Sequence, residues 1–175
     1  DSRVDSIQLL LKKCKELKSF PKSVISASGT AYYGFDNSEK IYDERAEAGR
    51  GFLTEVSEKW EKASVGFEQH DVRRVIFRIG VVLSDKGGAL KPIKIPFQFG
   101  IGSAMGTGKQ PLPWIHIDDL TSGLLLGIEN KEVSGTYNAV APQKTTNQEF
   151  SKMLAQEMKR PFWAPNIPSV VLRII

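Results

Sequence analysis

Cysteine and histidine are scarce in this chain, and their scarcity excludes two kinds of site. The single cysteine, Cys14, cannot form a disulfide within the chain, and the helical periodicity around it predicts a small buried side chain. The two histidines, His70 and His116, lie 46 positions apart in the sequence and are not accompanied by the ligand spacing of a metal centre. We therefore expect no metal ligands.

Long apolar runs and an N-terminal apolar core are also missing. The first absence predicts no membrane-spanning helix, and the second predicts no signal peptide. A lone cysteine is compatible with a reducing compartment. Together these absences predict a cytoplasmic protein with no membrane partner.

The chain has neither a phosphate-binding loop nor a nucleophile elbow, and its excess of positive charge is small. The formal net charge is +4, from 24 Lys and Arg against 20 Asp and Glu. Lysines between Lys12 and Lys22 alternate with apolar residues, as on the solvated face of a helix, and no basic stripe carries interleaved aromatics. We therefore expect no nucleic-acid partner.

Helical and strand patterns alternate along the chain. This alternation predicts an α/β fold whose sheet is largely parallel. Both ends of the chain fall within apolar segments, so we expect a fragment or the ordered part of a longer protein. Helices are predicted over 4–17, 51–65 and 119–130 and from about Thr145, and strands over 23–26, 71–83, 114–117 and 135–140.

Glycine and proline concentrate between residues 86 and 113. This density is typical of a connector that winds over a surface, and it predicts no packed layer there. In the final helix, Thr146 and Glu149 have the spacing of a capping box.

Hydroxyl groups follow the first predicted strand. Ser28 and Thr30 lie where this strand enters a turn, and Tyr32 and Tyr33 come directly after it. Ligands of open parallel sheets bind beyond the carboxyl ends of the strands, so these hydroxyls could face a substrate. Equally, the small residues could simply allow the turn to bend.

Three further polar positions have structural and functional interpretations. His116, in a strand, is interpreted as a core or supporting group rather than a base. The pair Asp118-Asp119 precedes a helix and is interpreted as its cap. Arg78 ends an apolar strand, and its burial would require an acidic partner or a ligand anion.

Several segments together resemble the epimerase-like members of the extended short-chain dehydrogenase/reductase superfamily. The resemblance extends over nearly the whole chain and is most specific between Pro113 and Leu120, where the sequence reads Pro-Trp-Ile-His-Ile-Asp-Asp-Leu. Within the superfamily, the chain is most similar to the atypical epimerase-like group. The segments that carry the resemblance are 26–34, 52–61, 78–83, 106–120 and 135–138.

The resemblance implies a Rossmann-like parallel sheet with helices on both faces and a small substrate-binding region. It implies that residues 1–85 form the second half of an NAD(P)-binding domain, whose first half is missing. Residues 86–175 would be mainly substrate-binding, with 114–140 returning to the sheet. The implied cofactor is NADP or NAD, bound largely by the missing half, which would carry the glycine-rich loop. The partner is a small-molecule substrate, and a homodimer is left open.

The resemblance also assigns residues to the site. Catalytic contacts are expected from Ser28, Tyr32 and Tyr33. Cofactor contacts are expected from Ser26, Ala27, Arg78, Gly80 and Val81, and a substrate pocket from Leu112, Trp114 and His116.

Two departures from the family pattern bear on the reaction. When the glutamate that follows the family's Tyr-x-x-x-Lys pair is set on Glu61, Leu53 takes the Tyr position and Ser57 the Lys position. The usual acid–base pair is therefore absent. The arginine that clamps a substrate pyrophosphate falls near Leu112, which cannot bind phosphate, so a nucleotide sugar is a disfavoured substrate.

Two functions follow from these features. The first is an NAD(P)-dependent epimerase or oxidoreductase acting on a small carbonyl or hydroxyl compound, including sugar-derived ones. The second is a non-catalytic NAD(P)-binding sensor or scaffold protein, which the loss of the Tyr-Lys pair favours.

Overall fold

The computed structural model describes residues 2–35 and 40–168, which form two compact units. The first unit contains residues 2–35, 40–80 and 118–139. The second contains residues 81–117 and 140–168. Within the described residues, no helix has the length and apolar character needed to cross a bilayer.

A three-stranded parallel sheet forms the centre of the first unit. Its strands are β1 (Ser23–Gly29), β2 (Arg73–Ile79) and β5 (Gly135–Ala139), in the order β1-β2-β5. β2 reads Arg-Arg-Val-Ile-Phe-Arg-Ile, and its central residues are buried, as expected for a strand covered on both faces. The predicted parallel α/β sheet is confirmed.

Helices pack on both faces of this sheet. Alternate residues of β2 point to opposite faces. On one face, Arg78 contacts Glu61 of α2 (Phe52–Ala63), and on the other Phe77 lies against Gly127 of α4 (Ile117–Glu129). Helix α1 (Ser2–Leu17) completes the unit, with short 3-10 helices at Thr30–Tyr33 and Val65–His70.

A small apolar cluster holds α1 against the unit. Cys14, Phe67 and Val72 are buried together, with Leu11 packed on them, so the predicted burial of Cys14 is confirmed. The helical periodicity of 51–65 predicts a buried face of Phe52, Val56, Trp60 and Ala63, and this prediction is wrong at Phe52, which is 76% exposed. Phe52 begins the helix, and the buried residues of α2 are instead polar, Thr54 and Ser57.

The second unit contains a two-stranded parallel sheet and two helices. Strand β3 (Val81–Leu83) pairs with β4 (Trp114–His116). Helix α5 (Asn147–Glu157) begins at the predicted capping box, in which Thr146 accepts from the Glu149 amide while the Glu149 carboxylate accepts from the Thr146 amide. These bonds from Thr146 lower the pKa of the Glu149 carboxyl.

The prediction that residues 86–113 are only a surface connector is wrong. Helix α3 (Leu90–Gln98) forms there, Phe97 is 2% exposed, and Ala104 is fully buried. Pro92 is tolerated because it lies in the first turn, where backbone N–H groups have no partner within the helix. Pro96 lies inside the helix, where its missing N–H removes one hydrogen bond of the helix.

The chain passes from the first unit to the second after residue 80 and returns to the first unit for residues 118–139. Strand β4, just before this return, pairs with β3 in the second unit. The division into a cofactor-binding part, 1–85, and a mainly substrate-binding part, 86–175, stays a prediction.

Arg73 closes the C-terminal end of α4. Its guanidinium donates to the carbonyls of Gly127 at 2.7 Å, Val133 at 2.6 Å and Ile128 at 3.2 Å. The last carbonyls of a helix lack partners within it, and a cation near them also suits the helix dipole. One side chain of β2 therefore fixes the end of α4 against the sheet.

Replacing Arg73 with alanine should lower the free energy of unfolding by about 2 kcal/mol, since three charge-assisted hydrogen bonds are lost. Urea denaturation of both proteins measures the change. Arg160→Ala is the matched control, because its side chain is exposed and should matter by less than about 0.5 kcal/mol. Equal stabilities for the two variants would show that Arg73 does not secure α4.

Candidate functional site

A row of polar side chains crosses the sheet of the first unit near its carboxyl edge. Ser28 of β1 is in register with Arg78 of β2, which is in register with Asn138 of β5. Register partners in a parallel sheet point to the same face, and Arg78 shows that this is the face covered by α2. Open α/β sheets bind ligands at this edge.

Arg78 is buried at the centre of the row and is bound from several directions. Its Nε and one terminal nitrogen donate to the two carboxylate oxygens of Glu61, each at 2.9 Å. The other terminal nitrogen donates to the Tyr33 hydroxyl at 3.0 Å and to the Glu44 carbonyl at 3.3 Å. Its guanidinium also lies 3.4 Å from the centre of the Tyr32 ring, a cation–π contact.

The acidic partner that the burial of Arg78 required is therefore Glu61. The two side chains are 5% and 11% exposed, so the pair is shielded from water. Burial disfavours the charged form of Arg78, but hydrogen bonds to Glu61 and Tyr33 and the charge of Glu61 outweigh it and raise the pKa of Arg78. Arg78 consequently stays charged, and four of the five N–H donors of a guanidinium are used within the chain.

The two adjacent tyrosines have different environments. Tyr33 is buried, and its hydroxyl accepts from Arg78 and donates to Asn138 Oδ1 at 2.7 Å. Tyr32 is half-buried, and within the described residues its hydroxyl has no hydrogen bond. The Tyr32 side chain lines an open cavity of about 200 Å³ beside α2. Of the two phenols, Tyr32 is the one whose hydroxyl is not already engaged.

Ser28 is placed at the predicted edge, but its hydroxyl is enclosed. The side-chain oxygen is fully buried and has no hydrogen-bond partner among the described residues. A buried hydroxyl without a partner carries a free-energy cost of about 1–3 kcal/mol. A group of this kind in a site is explained either by strain or by a ligand that supplies the missing bond.

Helix α2 carries the two residues, Leu53 and Ser57, that the resemblance sets at the positions of the family's acid–base pair. Leu53 is exposed and apolar, and the Ser57 hydroxyl donates to the Leu53 carbonyl at 2.9 Å. Thr54, between them, donates to the Ala31 carbonyl at 2.9 Å and so ties α2 to the turn after β1. Neither Leu53 nor Ser57 can supply an ionisable group.

The predicted site residues are divided between the two units. Ser26, Ala27, Ser28, Tyr32, Tyr33, Arg78 and Gly80 lie in the first unit, whereas Val81, Leu112, Trp114 and His116 lie in the second. In the second unit, the Leu112 amide and the Trp114 indole bind the carbonyl and hydroxyl of Thr145, at 2.8 and 3.3 Å.

At the junction of β4 and α4, the structure differs from the interpretations of His116 and of the Asp118-Asp119 pair. His116 is exposed and is not a core residue, because it points away from the face on which Ile115 is buried. Asp118 and Asp119 are not the cap itself, since α4 already begins at Ile117 and both lie in its first turn. Their carboxylates still suit the positive end of the helix dipole.

Asn138 and Glu44 were not predicted as site residues. The Asn138 amide N–H donates to the Glu44 carboxylate at 2.8 Å, and the Asn138 side chain donates to the Tyr42 carbonyl at 3.2 Å. The register of β5 beside β2 determines which residue faces Arg78, and the sequence does not reveal it. Asn138 did lie in a segment that carried the resemblance, which was the available signal.

Within residues 2–35 and 40–168, no cluster of His, Cys, Asp and Glu side chains could hold a metal ion. The site is instead built from a charged pair, two phenols, an amide and an unpaired hydroxyl. Such groups can bind and orient an oxygen-containing ligand, and the Glu61 carboxylate among them is held by Arg78.

Comparison with known proteins finds relatives over almost the whole chain, although no family model matches it. An epimerase family protein of Staphylococcus aureus is 36% identical over 99% of the chain and 58% of the relative. An epimerase family protein of Mus musculus is 39% identical over 99% of the chain and 59% of the relative. The chain thus spans a little over half the length of these relatives.

Solved structures give the same result. The human epimerase family protein, solved with NADPH, superposes with a TM-score of 0.89 at 34% identity, over 99% of this chain and 58% of that one. A nucleoside-diphosphate sugar epimerase of Corynebacterium glutamicum gives a TM-score of 0.80 at 32% identity, over 99% and 38%. A UDP-glucuronic acid 4-epimerase of Bacillus cereus shares the fold alone, at 18% identity and a TM-score of 0.77. The Rossmann-like fold class is therefore established.

Glu61→Gln should destabilise the protein by about 3 kcal/mol, because it leaves the buried charge of Arg78 without its counter-ion. Urea denaturation measures this loss. Glu58→Gln, on the same helix, is the control: its pair with Lys62 is largely exposed and should matter by less than about 1 kcal/mol. Similar losses in the two variants would mean that the Arg78–Glu61 pair contributes no more to the free energy of unfolding than the exposed pair.

Gly49→Ala should also destabilise the protein, by about 1–3 kcal/mol, since a Cβ at Gly49 would overlap the Tyr33 carbonyl. Thermal unfolding provides the measurement. A Cβ at Gly87 would meet no atom within 4 Å, so Gly87→Ala is the tolerated control. If Gly49→Ala unfolds at the wild-type temperature, the close approach of residue 49 to the turn is not required.

Proposed function

Since the chain is homologous over nearly its whole length to epimerase family proteins, we propose that it is part of an NAD(P)-dependent epimerase or oxidoreductase-like protein. The substrate is a small carbonyl or hydroxyl compound, including sugar-derived ones. The observation that carries this proposal is the similarity to the NADPH-bound human protein, at 34% identity over 99% of the chain. Residues 1–85 then belong to the cofactor-binding domain, and residues 86–175 mainly contact the substrate.

The residues at the edge of β1 fit a dinucleotide. Ala27 is exposed and Ser26 is half-buried, and both side chains are small enough for a ligand to approach the backbone. Gly80 directly follows β2 and has no side chain, so it also leaves room for a ligand at this edge. Arg78 fits less well as a cofactor contact, because its donors hold Glu61, Tyr33 and Glu44. We assign Arg78 to positioning the site.

When bound, NAD(P) accepts or donates the hydride. The chain's own task is to orient the substrate oxygen and to exchange its proton. Ser28 has a hydroxyl that lacks a partner, so a substrate oxygen would supply the missing bond once the serine side chain rotates toward it. Tyr32 is the phenol with an unengaged hydroxyl and is the better candidate acid, while Tyr33 is held by Arg78 and Asn138.

The second candidate function is a non-catalytic NAD(P)-binding sensor or scaffold. The observation that favours it is the replacement of the Tyr-Lys pair by Leu53 and Ser57, whose hydroxyl is bound to the helix backbone. A protein of this kind binds the dinucleotide tightly but transfers no hydride.

Ser28→Ala separates catalysis from folding. We expect the variant to bind NADPH as the wild type does, to lose turnover by about 100-fold, and to be as stable or slightly more stable, because an unsatisfied hydroxyl is removed. The measurements are NADPH fluorescence titration, NADPH oxidation with a panel of carbonyl and sugar substrates, and urea denaturation, all on the full-length protein.

Ser64→Ala is the matched control for this experiment. Ser64 is also buried, but its hydroxyl donates to the Glu61 carbonyl, so this variant should lose about 1 kcal/mol of stability and keep its turnover. Full turnover in Ser28→Ala would remove Ser28 from the mechanism. NADPH binding by the wild type without hydride transfer to any substrate would favour the sensor.

A further inference from the structure

Residues 40–45 lie beside the outer strand β5 and are held there by side chains of the sheet. Asn138 makes two of these bonds. Its main-chain N–H donates to Glu44 Oε1 at 2.8 Å, and its side-chain amide donates to the Tyr42 carbonyl at 3.2 Å. The Glu44 carboxylate thus accepts from a main-chain N–H of β5, a strand that pairs with β2.

The same amide side chain also fixes Tyr33. The oxygen of the Asn138 side chain accepts from the Tyr33 hydroxyl at 2.7 Å, so nitrogen and oxygen are bound to different segments. The ring of Tyr33 in turn stacks on that of Tyr42, with centroids 5.2 Å apart and an interplanar angle of 24°. Asn138 therefore links residues 40–45 to the turn that follows β1.

Arg78 supports this link from β2. Its terminal nitrogen donates both to the Tyr33 hydroxyl and to the Glu44 carbonyl, at 3.0 and 3.3 Å. Because Arg78 donates to Tyr33, the phenol must use its own hydrogen for Asn138. The Tyr33 hydroxyl thus accepts from Arg78 and donates to Asn138, so position 138 must offer an acceptor oxygen.

We propose that Asn138 is a positioning residue that holds residues 40–45 at the carboxyl edge of the sheet. Loops at this edge form the ligand sites of open α/β folds. Residues 40–45, with Asp43 and Arg45 exposed, then form one wall of the substrate region and contribute to its specificity. Their part in substrate binding rests on the proposed function, whereas the anchoring by Asn138 can be measured without a substrate.

Limited trypsin digestion of the full-length protein tests the anchoring. The measured quantity is the rate of cleavage after Arg45, relative to cleavage after Lys131, which is exposed and lies before β5. Asn138→Ala removes both side-chain bonds, and we expect the relative rate to rise about 10-fold, as the loss of one or two net hydrogen bonds implies. Thr136→Ala is the matched control in the same strand and should change the rate less than about 2-fold.

Variants of Glu44 provide a second, conservative comparison. Glu44→Gln keeps an oxygen that accepts from the Asn138 amide and should be cleaved at nearly the wild-type rate. Glu44→Ala removes that acceptor and should be cleaved several-fold faster. Rescue by glutamine but not by alanine identifies the hydrogen bond, rather than the bulk of residue 44, as the anchor.

Two outcomes would overturn the proposal. Equal relative rates for Asn138→Ala and Thr136→Ala would show that the Asn138 side chain does not hold the segment, and equal rates for the two Glu44 variants would show that the Asn138 main-chain N–H does not hold it. NADPH titration of the same proteins keeps this result separate from the proposed function. A wild type that fails to bind NADPH refutes the cofactor assignment, while the cleavage rates still decide the role of Asn138.

Discussion

The buried ion pair between Arg78 and Glu61 is the interaction on which the rest of the first unit's site depends. A guanidinium in the interior is costly unless its donors are paired, and here they bind a carboxylate, a phenol and a carbonyl. Each of these partners belongs to a different segment. The requirement to satisfy one charge therefore brings α2, the turn after β1 and residues 40–45 to the same end of β2.

This arrangement divides the hydroxyl groups of the site into two kinds. Tyr33 is surrounded by partners and serves as a connector, because its hydroxyl both accepts and donates within the chain. Ser28 and Tyr32 have no such partners among the described residues. Tyr32 and Tyr33 are adjacent in the sequence, but only the Tyr33 hydroxyl is engaged, because Arg78 of β2 and Asn138 of β5 bind it. These bonds therefore engage the Tyr33 hydroxyl and leave that of Tyr32 for a ligand.

The secondary structure could largely be predicted because it depends on local patterns. The β-branched run of β2 and the capping box of α5 carry their structure in adjacent residues. Helix α3 was missed because proline density was weighed without regard to position: Pro92 lies in the first turn, and the helix forms although Pro96 lies inside it. The exposed Phe52 was assigned to the core for a similar reason, since periodicity does not show that α2 buries hydroxyl side chains.

The candidate site could be predicted only in part. That Arg78 needs an acidic partner follows from the cost of burying its charge, but the choice of Glu61 depends on how α2 packs over the sheet. Asn138 was not predicted at all. An asparagine in a short strand has no local signal, and its role arises from the register of β5 with β2 and from a segment some 95 positions away.

Whether the protein is an enzyme or a sensor depends on whether one of its groups can exchange a proton with the substrate. Hydride transfer needs the cofactor, but an alcohol or carbonyl must also exchange a proton with some group. Leu53 and Ser57 supply none, and Glu61 and Tyr33 are held by Arg78. Within the described residues of the first unit's site, the hydroxyls of Ser28 and Tyr32 are not bound by Arg78, and the oxygen of Ser28 is enclosed. Catalysis through either of these two groups would require ligand binding to expose the Ser28 hydroxyl or to bring the Tyr32 phenol to the substrate, whereas a sensor requires neither.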